Sequence, residues 1–189
     1  MPRAVEVEFE GAAPYSQSYW HDTPKKDKET ADAFEKRTWR DKCSANDKGE
    51  IFIPAMAFKQ CLDSVAKRLG EQIPGKGRTT YTKAFLAGVI CEDNVILPGL
   101  RKDKCPSVTI PANVTGVRGA GKRVRRTFPQ WVKWGGVARF IILDDTVTRE
   151  VFERHFHEAG RFVGLGRFRP ENGGINGRFR ALKFTWDGD

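Results

Sequence analysis

No stretch of the sequence approaches the roughly 18 apolar residues that a membrane span needs. The opening MPRAVEVEFEG alternates like a strand and lacks the continuous apolar core of a signal peptide. A cytoplasmic protein without membrane contact is therefore expected. Cysteine is sparse: Cys43, Cys61, Cys91 and Cys105 stand far apart with no CxxC pair. That spacing disfavours zinc sites and points to reduced structural thiols. Histidine occurs three times, with no Ser-His-Asp order, HExxH helix or metal-ligand cluster. His155 falls on the apolar side of its segment and His157 on the outer side. His21, in a polar stretch beside Trp20 and Asp22, is the one candidate general acid or base. No Gly-Lys-Ser/Thr closes a Walker A loop, and no strand-to-helix glycine turn suggests a dinucleotide fold. Thus no cofactor, no metal and no catalytic residue is expected.

The charge is unevenly placed. Of 33 Lys+Arg and 24 Asp+Glu, 15 and 6 fall between Gly116 and Lys183, which leaves 18 of each elsewhere. The whole net charge of +9 thus resides in one third of the chain. Most of it is arginine, whose planar fork suits phosphate and base edges.

The apolar patterning predicts an α+β fold within a single domain over 1–189. Val5 to Phe9 alternates as a first strand ended by Gly11 and Pro14. Residues 15–50 are polar and charged, with a short helix candidate at Thr30 to Trp39, and read as an insertion after that strand. Pro54 opens a helix running to about Leu69 and stopped by Gly70, with Phe58, Leu62, Val65 and Leu69 on one face. Ala84 to Cys91 reads as a buried second strand, with Asp93-Asn94 turning into VILPG. Val137 to Leu143 reads as a third strand after the β-prone Ser107 to Val114. Asp144, Asp145 and Thr146 are capping candidates for a helix to Glu158, which Gly160 ends. Phe179 to Trp186 is the last strand. The order βαββαβ is ferredoxin-like, or RNA-recognition-motif-like: an antiparallel sheet with two helices on one face.

Three segments carry the chemistry. In the 160–179 loop six glycines are interspersed with arginine and phenylalanine. Gly164, Gly166, Gly173, Gly174 and Gly177 would let backbone N–H groups approach an anion, with charge from Arg167, Arg169 and Arg178 and stacking from Phe168. In the basic, aromatic 115–135 segment, Arg118, Lys122, Arg123, Arg125 and Arg126 accompany Phe128, Trp131 and Trp134. That is the composition of a groove that tracks phosphates and stacks bases, with Trp131 as the stacking candidate. The third is the basic turn with Lys76 and Arg78, followed by Tyr81.

The sequence G160-R-F-V-G-L-G-R-F-R-P-E-N-G-G-I-N-G-R-F179 lies between a helix and a final strand. This arrangement resembles the glycine-rich loop of the RAMP superfamily, the RNA-binding backbone subunits and RNA-processing nucleases of CRISPR systems. The opening VEVEFEGAAPYS resembles the first strand of that superfamily. Ile53-Pro54-Ala55 entering a helix resembles its I-P-x-x-x-x-K motif, with Lys59 in the lysine position. The resemblance implies a domain that holds single-stranded RNA or DNA by its backbone, in backbone-type members as a homo-oligomer or filament along the strand. It assigns roles here to the five loop glycines and Lys59. Processing members usually contain two such domains and often cleave with a histidine near the first helix; this chain is too short for a clear duplication.

The expected function is sequence-tolerant binding of single-stranded nucleic acid without catalysis. Two alternatives stay open: an endoribonuclease of the CRISPR RNA-processing kind using His21 or a tyrosine, and a phage-type structural or assembly protein whose basic face meets an acidic protein partner.

Overall fold

The computed structural model describes residues 2–113 and 123–188. The elements in chain order are β1 (Arg3–Gly11), β2 (Tyr15–Ser16), α1 (Ala31–Thr38), β3 (Glu50–Ile53), α2 (Ala55–Leu69), α3 (Thr82–Gly88), β4 (Val89–Cys91), β5 (Val95–Arg101), β6 (Ser107–Asn113), β7 (Arg123–Trp131), β8 (Gly135–Ile142), α4 (Arg149–Glu158) and β9 (Phe179–Trp186).

The alternation in β1 buries Val5, Val7 and Phe9 and exposes Glu6 and Glu8. β1 lies between two antiparallel neighbours, and the sheet runs β4-β8-β1-β9. With α2 and α4 as the two crossovers, this is the ferredoxin-like arrangement that the patterning predicts. Both helices cover one face. Phe58 of α2 meets Phe9 at 5.1 Å and Phe140 at 5.9 Å between ring centroids, and Phe156 of α4 meets Phe179 at 5.3 Å. Each fully buried phenylalanine contributes on the order of 2 kcal/mol.

The opposite face is charge-balanced. In the strand register Glu6 stands across from Arg139, Glu8 from Lys183 and Glu10 from Arg180. Such opposite-charge pairs stabilise a sheet face and offer little net attraction to phosphate. Between Lys183 and Ala181 the ladder shifts, leaving Leu182 as a bulge on β9, an outermost strand of this sheet.

Several boundaries differ from expectation. Thr82–Gly88 is helix rather than strand, and only Val89–Cys91 pairs with β8. A short apolar run cannot be told from a buried helix by periodicity. Packing decides here, because Thr82 Oγ1 donates to the Ala66 carbonyl and Lys59 Nζ to the Phe85 carbonyl at 3.0 Å, fastening α3 to α2. Asp93 bends the chain into VILPG, to which the patterning assigns no element and which forms the start of β5, paired with β3 through Ile53 and Val95. The cap of α4 is Thr148, whose hydroxyl accepts from the Val151 N–H. Asp144 instead closes a turn onto Thr146. Nor does α4 end at Gly160: it continues as one wide π turn to Val163 and closes at Gly164.

Within the 15–50 segment, β2 pairs with β7, and a 3₁₀ turn over Trp39–Lys42 follows α1 against the same strand. β6 and β7 form an antiparallel ladder from Ser107↔Pro129 to Asn113↔Arg123. Among the described residues no helix is long and apolar enough to cross a membrane.

Candidate nucleic-acid interface

The glycine-rich loop folds onto itself and onto the chain after β1. Leu165 donates to the Gly177 carbonyl, Arg167 to Ser16, Asn176 to Phe168 and Gly177 to Pro14, at 2.7–2.9 Å. A Cβ at Gly177 would sit 1.7 Å from the Leu165 carbonyl oxygen, and one at Gly174 would sit 1.8 Å from that of Phe168. These glycines therefore permit close backbone crossings. The N–H groups of Gly164, Gly173, Gly174 and Gly177 all donate to carbonyls within the protein. The backbone donors expected to face a phosphate at these four positions are thus engaged in building the loop. The loop's contribution to the surface is side chains on a rigid support, and Phe168 is held there at φ 58°, a conformation costing about 1–2 kcal/mol outside glycine.

Arg167 is the centre of the site. Its guanidinium carbon lies 3.4 Å from the ring centre of Phe128 and 3.8 Å from that of Phe168. Nη1 is buried with no hydrogen-bond partner among the described residues. Loss of solvent, with Arg126 nearby, pulls the guanidinium pKa down to about 10. Lys42 Nζ is 4.4 Å from the same Phe128 ring, pairs with Glu35 and donates to the Thr127 carbonyl at 2.8 Å. Its ammonium is also lowered, chiefly by burial. Arg126 approaches Glu35 at 3.9 Å. Two cations thus face one aromatic ring, with Arg126 close to both.

Depressions open on both sides of Arg167 and Phe168. One, of about 380 Å³, is lined by Ser16, Ile110, Gln130, Ile175 and Asn176. The other, of about 370 Å³, is lined by Gln17, Tyr19, Ser44, Arg169 and Asn172. Across Tyr19 the second meets a third, of about 410 Å³, with Trp20, His21, Asp41, Cys43 and Lys102. Each falls within the range of ligand clefts, about 300–1,000 Å³. Three aromatics stand along this groove with rings open to solvent: Phe168 is 46% exposed, Tyr19 59% and Trp20 74%. Flat apolar faces beside guanidinium groups are what stacked bases and a phosphate backbone require.

The predicted residues divide sharply. Gly164, Gly166, Arg167, Phe168, Arg169, Gly173, Gly174 and Gly177 build the loop; Arg169 is paired with Glu171 at 2.8 Å. Arg178 is exposed just before β9, and Arg123 and Arg125 are exposed on β7. Trp131 is buried, stacked on Tyr15 at 6.0 Å, and Tyr81 is buried edge-on to His155 at 5.8 Å. Neither ring has a face free for a base, because each fills the core beneath its strand or loop. Lys59 is engaged by Asp63 and the Phe85 carbonyl. Lys76 and Arg78 lie on the exposed connection between α2 and α3, toward Asp144 and the Arg3 end of the sheet. The glycine-rich loop enters β9 at the Gly11 end, so these two cations are not brought to the groove. Arg118 and Lys122 lie outside the described residues. Tyr19, Trp20 and Lys42 complete the site without having been singled out from the sequence as binding residues. Two adjacent aromatics within the charged SYWHDTPKK stretch are the signal that marks the first two; Lys42 has none.

His155 is fully buried, its Nδ1 2.7 Å from the Val151 carbonyl, and stacked on Phe85. His21 Nδ1 is buried without a partner among the described residues. No group of three or more His, Cys, Asp or Glu side chains converges to hold a metal ion among them.

No family model matches the chain, and no curated protein matches it in sequence. Solved structures match in fold. A chain of the Type III-B Cmr-beta assembly bound to cognate target RNA aligns over 98% of this chain at a TM-score of 0.53 and 14% identity. This chain spans 60% of that protein's length. Cmr6 from Pyrococcus furiosus aligns over 96% of this chain and 99% of its own, at a TM-score of 0.51 and 12% identity. The chain thus shares its fold with these two structures.

Proposed function

We propose that this protein binds single-stranded nucleic acid, sequence-tolerantly and without catalysis, as a subunit of a CRISPR-like nucleoprotein assembly in which copies line up along the strand. The observation that carries this reading is Arg167: a partly desolvated guanidinium that lines both depressions of a groove flanked by exposed aromatics, with a buried Nη1 that has no partner among the described residues. Leaving such a donor unsatisfied costs about 1–3 kcal/mol, more for a charged group, and a phosphate oxygen removes that cost. Phe168, Tyr19 and Trp20 supply the stacking; Arg123, Arg125, Arg126, Arg169 and Arg178 supply the surrounding charge. Lys59, Lys76, Arg78, Tyr81 and Trp131 are left out of the contact set. A fold neighbour from the Type III-B Cmr-beta assembly bound to cognate target RNA supports RNA as the natural strand.

The test is fluorescence anisotropy with labelled single-stranded RNA, single-stranded DNA and duplex DNA across a salt series. Salt-steep binding of a single strand, weakened by Arg167→Ala, is expected. Absence of binding by folded protein at low salt overturns the reading in favour of an acidic protein partner.

A second reading, endoribonuclease activity, is favoured by one observation: His21, whose Nδ1 has no partner among the described residues, shares a depression with Lys102 and Asp41. Cleavage of RNA by the wild type, lost in His21→Ala with binding retained, is the outcome that reading requires.

A further inference from the structure

The sequence spreads its four cysteines widely, yet the fold brings two of them together. Cys43 ends the 3₁₀ turn after α1, and Cys105 sits in the connection from β5 to β6, 62 residues away. Their sulfurs share a hydrogen bond at 3.9 Å. A disulfide needs about 2.05 Å between sulfurs, so the 3.9 Å pair must close by roughly 2 Å. Cys43 also lines the open depression with His21, Asp41 and Lys102, so a small oxidant reaches it. Cys61 and Cys91 have no sulfur within bonding reach; Cys61 donates to the carbonyls of Ala159 and Gly164 and Cys91 to that of Asp93.

We propose that Cys43 and Cys105 are a peroxide-oxidisable dithiol whose disulfide cross-braces the 3₁₀ turn to the β5–β6 connection beside the groove. The oxidant is a hydroperoxide. The Cys43 thiolate attacks one peroxide oxygen, the O–O bond breaks, and Cys43 becomes a sulfenic acid while the departing hydroxide takes up the proton that the Cys43 thiol released and leaves as water. The Cys105 sulfur then attacks the Cys43 sulfur and expels hydroxide, which leaves as water with the proton of Cys105. Two thiols and one H₂O₂ thus give one disulfide and two waters.

Position assigns the order of events: Cys43 lines the open depression, whereas Cys105 does not and its Sγ lies 3.1 Å from the Pro106 carbonyl. The shared hydrogen bond, assisted by Lys102 and Arg40, holds the Cys43 thiol below its usual range, while the same bond and burial hold Cys105 above it. Burial pushes Cys91 up to about 12 and Cys61 higher still, so neither competes as a nucleophile. Cys43 is the attacking thiol and Cys105 the resolving one.

The test treats the full chain with a small excess of hydrogen peroxide and follows intact mass, free thiols and non-reducing peptide maps. The expected result is loss of two of the four thiols, a mass decrease of two hydrogens, a single Cys43–Cys105 peptide, and a Tm raised by several degrees that dithiothreitol reverses. In Cys105→Ser the Cys43 sulfenic acid persists and is captured by dimedone. Oxygen addition without a cross-link, or cross-links only between molecules, in protein whose far-UV circular dichroism is unchanged, overturns the proposal. The chemistry is independent of nucleic-acid binding. Anisotropy with oxidised and reduced protein reports separately on the groove.

Discussion

Replacing Arg167 with methionine separates a binding arginine from a structural one. The substitution keeps an unbranched side chain between Phe128 and Phe168 and removes the charge and the unmet N–H. In the free protein the guanidinium gains cation–π attraction at two faces, about 0.5–2 kcal/mol each. Against this stand the buried unsatisfied donor, about 1–3 kcal/mol, and repulsion from Arg126. These contributions nearly cancel, so urea unfolding of Arg167→Met is expected within about 1 kcal/mol of wild type. Bound to a single strand, wild type recovers a charge-assisted hydrogen bond of about 1.5–3 kcal/mol that the variant lacks. Affinity should therefore fall roughly 10- to 150-fold at fixed salt. The slope of log K against log salt should flatten by about 0.7, the mark of one lost phosphate. Unchanged affinity and slope together with a stability loss above about 2 kcal/mol would refute this reasoning and make Arg167 a tie between β7 and the loop.

Tyr19→Ala and Trp20→Ala should each weaken single-strand binding by about 1–3 kcal/mol by anisotropy while leaving the thermal midpoint nearly unchanged, because both rings are exposed. Gly177→Ala should destabilise the fold by at least about 2 kcal/mol in urea, since the added carbon meets the Leu165 carbonyl oxygen. Glu35→Gln removes the anion that holds Lys42 and approaches Arg126, and should cost about 3 kcal/mol by the same measurement. His155 is held neutral, chiefly by burial, its pKa below that of an unfolded histidine. The unfolded chain binds the proton first, so stability should fall as pH drops below about 6.5. A His155→Leu variant should show a shallower decline in Tm over that range.

The scaffold was legible where burial has a period. Val5, Val7 and Phe9 alternate, and Phe58, Leu62 and Val65 recur at helical spacing, so the sheet and its two main helices follow from the chain alone. Ala84–Cys91 lacks a period, and its contacts with Ala66 and Lys59 decide between helix and strand. The site was legible in composition and not in geometry. Arginine and glycine density marks the loop, but no local pattern shows that Gly166 and Gly177 meet the backbone of Ser16 and Pro14, far earlier in the chain. Trp131 reads as a stacking residue until β2 is seen to place Tyr15 against it. Lys42 reaches the site only through its contacts with Glu35, Thr127 and the Phe128 ring, which no local pattern encodes.

The bulge at Leu182 bears on how copies of this chain can meet. β9 is an outer strand, with a row of backbone donors and acceptors that another strand could in principle extend. At Leu182 that row loses its regular spacing, and the strand bends and twists away from a straight template. A visiting strand could match the ladder on one side of the bulge or the other, but not run past it. Alignment of copies along a nucleic acid would therefore depend on side-chain surfaces and on the strand itself, and open-ended edge-to-edge growth is discouraged when no nucleic acid is present.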